Sequence, residues 1–391
     1  MLVLEAKLKG KTEQYKLIDQ AIRAALFCRK KALRYWMDNR GVDKYDLNKH
    51  MAVLAKEFEF ANKLNLQARQ SSAERSWSGI SRFFDNCKKK KSGKKGYPKF
   101  QKRGHSVEYK QTGWKISEGR KYLTLTDGFK IGKLKLIGSR DLNFYQIEQI
   151  KRVRLVRRAD GYYAQFCVDV ERREEIKPSK KTTGLDVGLN HFYTDSDGNV
   201  VENPRYLRKS ERKLKKLQRK VSKRQKGSAN LRKAIIRLAR KHLQVSRQRK
   251  DFAIKTARCV VRSNDLIAYE DLQVGNILKN QKLAKSISDA SWSMFRDWVE
   301  YFGKVFGKVT VAVPPHYTSQ NCSTCGTLVK KSLSTRTDQC SHCGTILDRD
   351  HNAALNILAI GLSRVGLTRI NACGEFDPCQ LDVSLSGKLS H

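Results

Sequence analysis

At 391 residues the chain is too long for one compact module and predicts two or three domains, and 39% hydrophobic residues suffice for true cores, which excludes a disordered chain. Lysine and arginine outnumber aspartate and glutamate by 80 to 38, a formal net charge of +42 that self-repels unless a polyanion is the working partner; nucleic acid is the expected one. No apolar run approaches the ~20 residues of a spanning helix and the N-terminus lacks the apolar core of a signal peptide, so the expectation is a soluble intracellular protein with no membrane partner.

Leu2, Leu4, Ala6 and Leu8 alternate with other side chains up to Gly10, which predicts a half-buried strand over residues 2–8. From about Glu13 the period becomes helical. Ile18, Ile22, Ala25, Leu26, Arg29 and Leu33 form one run, Leu47, Met51, Leu54 and Phe58 a second, and Trp77, Ile80 and Phe84 a third, so residues 13–87 read as a small helical bundle. Lys88 to Lys91 open a basic exit that is either a solvated loop or a phosphate-contacting one. The pattern then turns to β. Residues 121–126 and 130–137 are split by Asp127-Gly128, and 153–157 and 162–170 by Ala159-Asp160-Gly161, two hairpin signals. These strands predict a β-barrel-like domain over 1–12 and 88–177, with the bundle inserted after its first strand. Tyr109, Trp114, Tyr122, Tyr162 and Tyr163 among its basic residues suit either single-strand contact or the core.

A polar stretch around Pro178 leads into an α/β domain predicted over 178–315 and 346–366. Its first strand carries Asp186, an acid that is costly among apolar residues unless a local hydrogen bond satisfies it or it binds something. Glu270 closes a second buried-type strand that starts at Asp265. Asp348 and Asp350 precede Asn352, a candidate cap for a helix through Ala354, Ile357, Leu358 and Leu362. Between these strands, residues 206–262 form a very basic helical hairpin with the apolar stripe Leu214, Leu217, Val221, Leu231, Ile235 and Leu238, broken at Gly227-Ser228; its cationic face lines nucleic acid or faces solvent. Residues 309–313 are a further strand, ended by Pro314-Pro315. After Gly366 periodicity fades, and 367–391 is expected to be a disordered tail.

Cys322, Cys325, Cys340 and Cys343 form two C-x2-C pairs separated by fourteen residues, each followed by a glycine, Gly326 or Gly344. That spacing is the spacing of a zinc ribbon, predicted over 316–345; the competing reading is a redox C-x-x-C. Four thiolates leave no open coordination position, so the Zn2+ is expected to be structural. The other cysteines, Cys28, Cys87, Cys167, Cys259, Cys373 and Cys379, show no pairing logic, as in a reducing compartment. Three acids on different elements of one α/β domain, Asp186, Glu270 and Asp350, can converge at one end of a sheet, where only divalent cations would neutralise them. Oxygen ligands favour Mg2+ or Mn2+ and metal-assisted phosphodiester hydrolysis. The neighbours Asp271 and Asp348 compete for the same assignment.

Gly184-Leu-Asp186-Val-Gly188, Tyr269-Glu270-Asp271-Leu272, Tyr317-Thr-Ser-Gln320 running into the first cysteine pair, and Asp348-Arg-Asp350-x-Asn352-Ala-Ala-x-Asn356-Ile357 together resemble the RuvC-type nuclease half of TnpB proteins. These are transposon-encoded RNA-guided DNA endonucleases related to type V CRISPR nucleases. The resemblance implies a multidomain α+β protein: a wedge domain with an inserted helical recognition domain, then an RNase H-like α/β nuclease domain in which Asp186, Glu270 and Asp350 hold two Mg2+. It also implies a guide RNA from the transposon end and a double-stranded DNA target chosen by guide pairing beside a short duplex motif. A bacterial or archaeal cytoplasm is the implied setting, at the nucleoid when DNA is bound. Oligomeric state stays open. Two further readings share the same residues, a nuclease-inactive RNA-guided DNA-binding repressor and a transposase performing strand transfer; all three acids are present, against the repressor.

Overall fold

Leu4 and Leu8 turn inward from β1 (Leu2–Lys9), which lies in the middle of a seven-stranded sheet. The computed structural model describes residues 1–89, 93–329 and 336–366, so the expected tail at 367–391 and Lys90 and Lys91 of the basic exit lie outside the described residues. The chain divides into two compact units, Met1–Glu171 and a second that starts at Arg172.

In the first unit, β1 is followed by the helices α1 (Thr12–Asp38), α2 (Lys44–Glu57), α3 (Glu59–Asn62) and α4 (Leu66–Lys88). The chain then returns to the sheet as β2 (Ser106–Lys110), β3 (Trp114–Ile116), β4 (Tyr122–Leu125), β5 (Leu134–Ile137), β6 (Ile150–Arg158) and β7 (Gly161–Val168). The order is β2-β6-β7-β1-β5-β4-β3, antiparallel throughout, and the sheet is nearly closed. One hydrophobic cluster joins Leu4 and Leu8 to Ile18 and Ile22 of α1, Met51 and Leu54 of α2, Ile80 of α4 and Phe166 of β7. Tyr109, Trp114 and Tyr163 belong to the buried set, and Tyr162 stacks on Tyr15, so for these aromatics the core reading holds.

The two hairpin signals differ in outcome. Arg158 pairs with Gly161 across a two-residue turn, as the second signal predicts. Asp127-Gly128 instead sits inside a longer connection between β4 and β5, whose pairing is Leu123 with Leu134. The dipeptide is held elsewhere: Gly128 N donates to Lys63 O at 2.7 Å, and the Asp127 carboxylate accepts from the Tyr109 hydroxyl at 2.8 Å. A tertiary contact thus outweighs a local turn preference.

The second unit is built on β8 (Thr182–Val187), β9 (His191–Asp195), β10 (Val200–Glu202), β11 (Leu266–Glu270) and β12 (Val309–Val313). Their order is β10-β9-β8-β11-β12: the first three are antiparallel, and β8, β11 and β12 run parallel. The basic hairpin is α5 (Tyr206–Ser222) and α6 (Ala229–Ser263), with Gly227 at φ +83° and Ser228 capping α6 by accepting from Leu231 N at 3.0 Å. Its stripe buries Leu214, Val245 and Ala253, whereas Ile235, expected in that stripe, is 47% exposed. The chain continues through α7 (Val274–Ile277), α8 (Gln281–Ala290) and α9 (Trp292–Phe306), and α9 packs Phe295, Val299, Phe302 and Phe306 into the core. Two short strands, β13 (Thr337–Gln339) and β14 (Ile346–Asp348), precede α10 (Arg349–Arg364). Among the described residues no helix is long and apolar enough to cross a membrane.

α10 lies unusually close to the sheet because three positions carry almost no side chain. Gly184 and Ala268 face each other in the parallel register of β8 and β11. A Cβ added at Gly184 would stand 2.1 Å from Ala354 O, and one at Gly361 would stand 2.5 Å from the Ala268 Cβ. Overpacking a seat made of backbone forces strand and helix apart. Gly184→Ala is therefore expected to destabilise the second unit by about 1–3 kcal/mol or more, read by chemical denaturation; a variant of wild-type stability would show that α10 does not lie against β8 in this way.

Candidate active site and metal-ligating cysteines

Asp186 follows Leu185, and Leu185 pairs with Tyr269 across the β8–β11 ladder, so Asp186 and Glu270 stand side by side on one face of neighbouring parallel strands. Two residues earlier on the same face are Gly184 and Ala268, the floor on which α10 rests. The close seat brings the first turn of α10 over the acids: a Cβ on Gly188 would lie 4.0 Å from Asp350 Oδ2. His351 Nε2 sits 3.1 Å from Ser196 O, which holds that first turn to the β9–β10 connection.

The electrostatics follow from this convergence. Burial, then the charges of Glu270 and Asp350, push the Asp186 carboxyl well above the usual range, with Arg349 pulling it partly back. Burial also raises Glu270, offset in part by the hydrogen bond that Thr318 Oγ1 donates to Glu270 Oε1. Among the described residues the Asp186 carboxylate has no hydrogen-bond or ion-pair partner, so no local bond satisfies this strand acid. Asp350 is paired with Arg336 at 3.0 Å. The competing acids are committed elsewhere. Asp271 pairs with Arg296 at 2.8 Å, and Asp348 caps α10, accepting from Asp350 N at 2.8 Å and His351 N at 3.2 Å. The cap is therefore Asp348, where the sequence put Asn352: its carboxylate reaches the free N–H groups of the first turn, and Asn352 lies inside the helix. The three carboxylates share a field, yet among the described residues the cysteines alone bring three or more ligand atoms within 4.8 Å of one another.

Those cysteines are Cys322, Cys325, Cys340 and Cys343, with Sγ separations of 3.6 Å for Cys322–Cys343 and for Cys325–Cys340. A tetrahedral ion with Zn–S bonds of ~2.3 Å requires S···S edges of about 3.8 Å, whereas a disulfide would bring sulfurs to ~2.0 Å. The two knuckles repeat one backbone pattern. Cys322 N donates to Thr327 O and Gly326 N to Cys322 O, both 2.9 Å; Cys340 N donates to Thr345 O and Gly344 N to Cys340 O, again both 2.9 Å. Gly326 and Gly344 take φ of +75° and +70°, where a side chain would be strained. Hydrogen bonding by Thr345 draws the Cys343 thiol down to about 6, favouring the thiolate that binds metal. Geometry and donor chemistry fit a metal ion such as zinc.

Two asparagines one turn apart on α10 tie the knuckle to the acids. Asn352 Oδ1 accepts from Ser323 N, and its Nδ2 donates to Asn321 O, both at 2.8 Å; Asn356 Nδ2 donates to Thr318 O and Asn321 O, also 2.8 Å each. Thr318 in turn holds Glu270. In the sequence Asn352 reads as a candidate cap and Asn356 only as part of a motif; their i, i+4 spacing on a predicted helix is the available signal that both face one partner.

The family described as "Probable transposase" (OrfB_IS605) matches residues 165–281, and the Cas12f1-like TNB domain family matches 292–357. A Streptomyces pristinaespiralis protein named "Putative RNA-guided DNA endonuclease" is 33% identical over 231 residues, 58% of this chain and 56% of its own length. The Escherichia coli K12 protein named "Putative RNA-guided DNA endonuclease InsQ" is 29% identical over 319 residues, 77% of this chain and 75% of its own. The chain thus spans little more than half of the first relative and three quarters of the second. Among solved structures, Cas12f1 in its complex with sgRNA and target DNA superposes with TM-score 0.53 at 14% identity, covering 89% of this chain and 83% of that one. The mini-RNA-guided endonuclease CRISPR-Cas_phi3 gives 0.56 at 10% identity, covering 92% of each. The folds are alike, and in sequence the chain is similar to proteins named as putative RNA-guided DNA endonucleases and as TnpB-like proteins.

Proposed function

We propose that this protein is an RNA-guided DNA endonuclease encoded by an insertion sequence, hydrolysing phosphodiesters at Asp186, Glu270 and Asp350. The observation that carries the reading is the convergence of these three acids without a matching set of cations, beside the parallel strands β8 and β11 of the sheet β10-β9-β8-β11-β12. The three carboxylates would hold Mg2+ or Mn2+, and two such ions supply an activated water and stabilise the leaving 3′ oxygen. The chain's own residues do the rest. Burial keeps the acids out of bulk water, Thr318 orients Glu270, and Arg336 neutralises Asp350 until a cation takes its place. Cys322, Cys325, Cys340 and Cys343 would hold a structural Zn2+ that fixes residues 318–323, and through Asn352 and Asn356 the seat of Asp350. In the first unit, the strands serve as a wedge domain and α1–α4 as its inserted recognition domain. The partners in this reading are a guide RNA from the transposon end and double-stranded target DNA, with guide pairing supplying sequence and the protein reading backbone shape and a short duplex motif, as in type V relatives.

Asp186→Ala is expected to abolish DNA cleavage while guide-dependent target binding stays near wild type, because a metal ligand is lost and no cationic surface is touched; Glu270→Ala and Asp350→Ala should match it. An inactive Asp348→Ala beside an active Asp350→Ala would overturn the choice of third ligand. RNA of defined 3′ sequence that co-purifies and directs cutting separates this reading from strand transfer at transposon ends without RNA.

The two metals should part company under chelation. Cys340→Ser, or a chelator strong enough to strip zinc, is expected to lower the folded yield of the second unit, whereas weak chelation of Mg2+ stops cleavage reversibly with circular dichroism unchanged. Equal loss of secondary structure under both treatments would contradict the division.

The exposed cations of α5 and the connection that follows it are expected to contact phosphates. Changing Arg219, Lys223 and Lys226 to Gln should lower the salt slope of nucleic-acid binding by about 2 to 3, at roughly 0.7 to 0.9 per contact, with sequence preference unmoved. An unchanged slope would make this face a solvated one.

A further inference from the structure

A cleft of the first unit gathers positive charge that its own acids do not neutralise. It opens between α1, α4 and the segment leading into β2, has room for about 250 Å3, and is lined by Leu26, Arg29, Ser72, Arg75, His105 and Ser106 among others. Gly104 makes it possible: a Cβ there would stand 3.1 Å from the Leu26 Cβ and 3.3 Å from Ile22 O, so only a bare backbone lets the segment cross α1 so closely. Arg29 Nη1 donates to Gln101 Oε1 at 2.7 Å and Arg75 Nη1 to Ser106 Oγ at 3.1 Å; both partners are neutral. Neither guanidinium has a carboxylate within salt-bridge distance among the described residues. Glu108, whose charge reaches Arg75, is 3% exposed and already engaged, one oxygen with Arg152 at 3.0 Å and the other with Arg154 Nε at 2.9 Å. Burial lowers the proton affinity of Arg29 and of Arg75, and Arg75 is pushed further by Arg29 and by Arg154.

We infer that Arg29 and Arg75 form a binding site for a backbone phosphate of a nucleic-acid strand. Two half-buried guanidiniums held apart by neutral hydrogen-bond acceptors cost stability in the free protein, and an anion between them offsets that cost. Their planar forks match the oxygens of a phosphate, and hydroxyl and imidazole groups on the walls offer further donors. A phosphodiester carries no base information, so the site positions a strand and does not read it. That the anion is a nucleic-acid phosphate rests on the reading above; that the cleft takes an anion does not.

The test uses the full chain with a short RNA and a short DNA duplex of arbitrary sequence, so that neither guiding nor cutting enters. The paired Arg29→Gln/Arg75→Gln variant is expected to lower the slope of log affinity against log salt by about 0.7 to 0.9, the share of the one phosphate the two arginines hold, and each single variant by no more than that, while Arg29→Lys/Arg75→Lys keeps it near wild type. A fall with RNA alone, with duplex alone or with both supports the site and identifies whose phosphate it holds. An unchanged slope on both probes overturns it, whichever way the melting temperature moves, and leaves the arginines structural. Should the paired Gln variant not fold, hydrogen exchange of the wild-type chain reads the same cleft: protection of residues 101–106 and 72–75 on adding either probe is expected, and its absence with both overturns the proposal. A protein that binds with these slopes and cuts no DNA would fail the nuclease reading and leave the cleft standing.

Discussion

The contact between α10 and the β8–β11 pair is the constraint on which the second unit turns. Backbone rests on backbone because Gly184, Ala268 and Gly361 leave nothing between them. Two residues further along the same strand faces come Asp186 and Glu270, and in the first turn of the helix comes Asp350. The seat and the acids share a period-two face and a helical turn, so a shift in one is a shift in the other. The same closeness desolvates Asp186 and sets it beside like charges, which is why its carboxyl is driven so far from its ordinary range.

Charge is distributed in opposite senses at two scales. The chain as a whole carries +42, and a polyanion approaching it is drawn from a distance. At the acid trio the local field reverses, and a phosphate arriving there meets carboxylates. On the proposed reading, such a site would admit a phosphate only after divalent cations had inverted that field. Arg336 on Asp350 is a partial version of the same remedy, supplied by the chain itself.

Legibility in the sequence followed the range of the interaction. The cysteine knuckles and their glycines were readable because ligand spacing and a left-handed turn are local demands, and the structure repeats them in both halves. Strands β8, β11 and β12 were readable from short apolar runs. Asp127-Gly128 misled because its partner, Lys63, lies more than sixty residues away in sequence and no local pattern announces it. Asn352 looked like a cap because the motif places it near a helix start, whereas geometry gave that work to Asp348 and turned Asn352 toward the knuckle. Residues 292–306 carry a local signal too, since Phe295, Val299, Phe302 and Phe306 stand at helical spacing. The cleft between Arg29 and Arg75 had no local signature at all, since three separate segments build it.

The order of the acids along the chain has a consequence for synthesis. Asp186 leaves the ribosome first, Glu270 next and Asp350 last, after both cysteine pairs, and the parallel strands that align the first two close a loop of some eighty residues. The first unit, by contrast, is complete by Glu171. A nascent chain can therefore fold its N-terminal half, and expose the cations there, well before the third carboxylate exists to join the other two. On the proposed readings, the capacity to hold a strand would precede the capacity to cut one during translation.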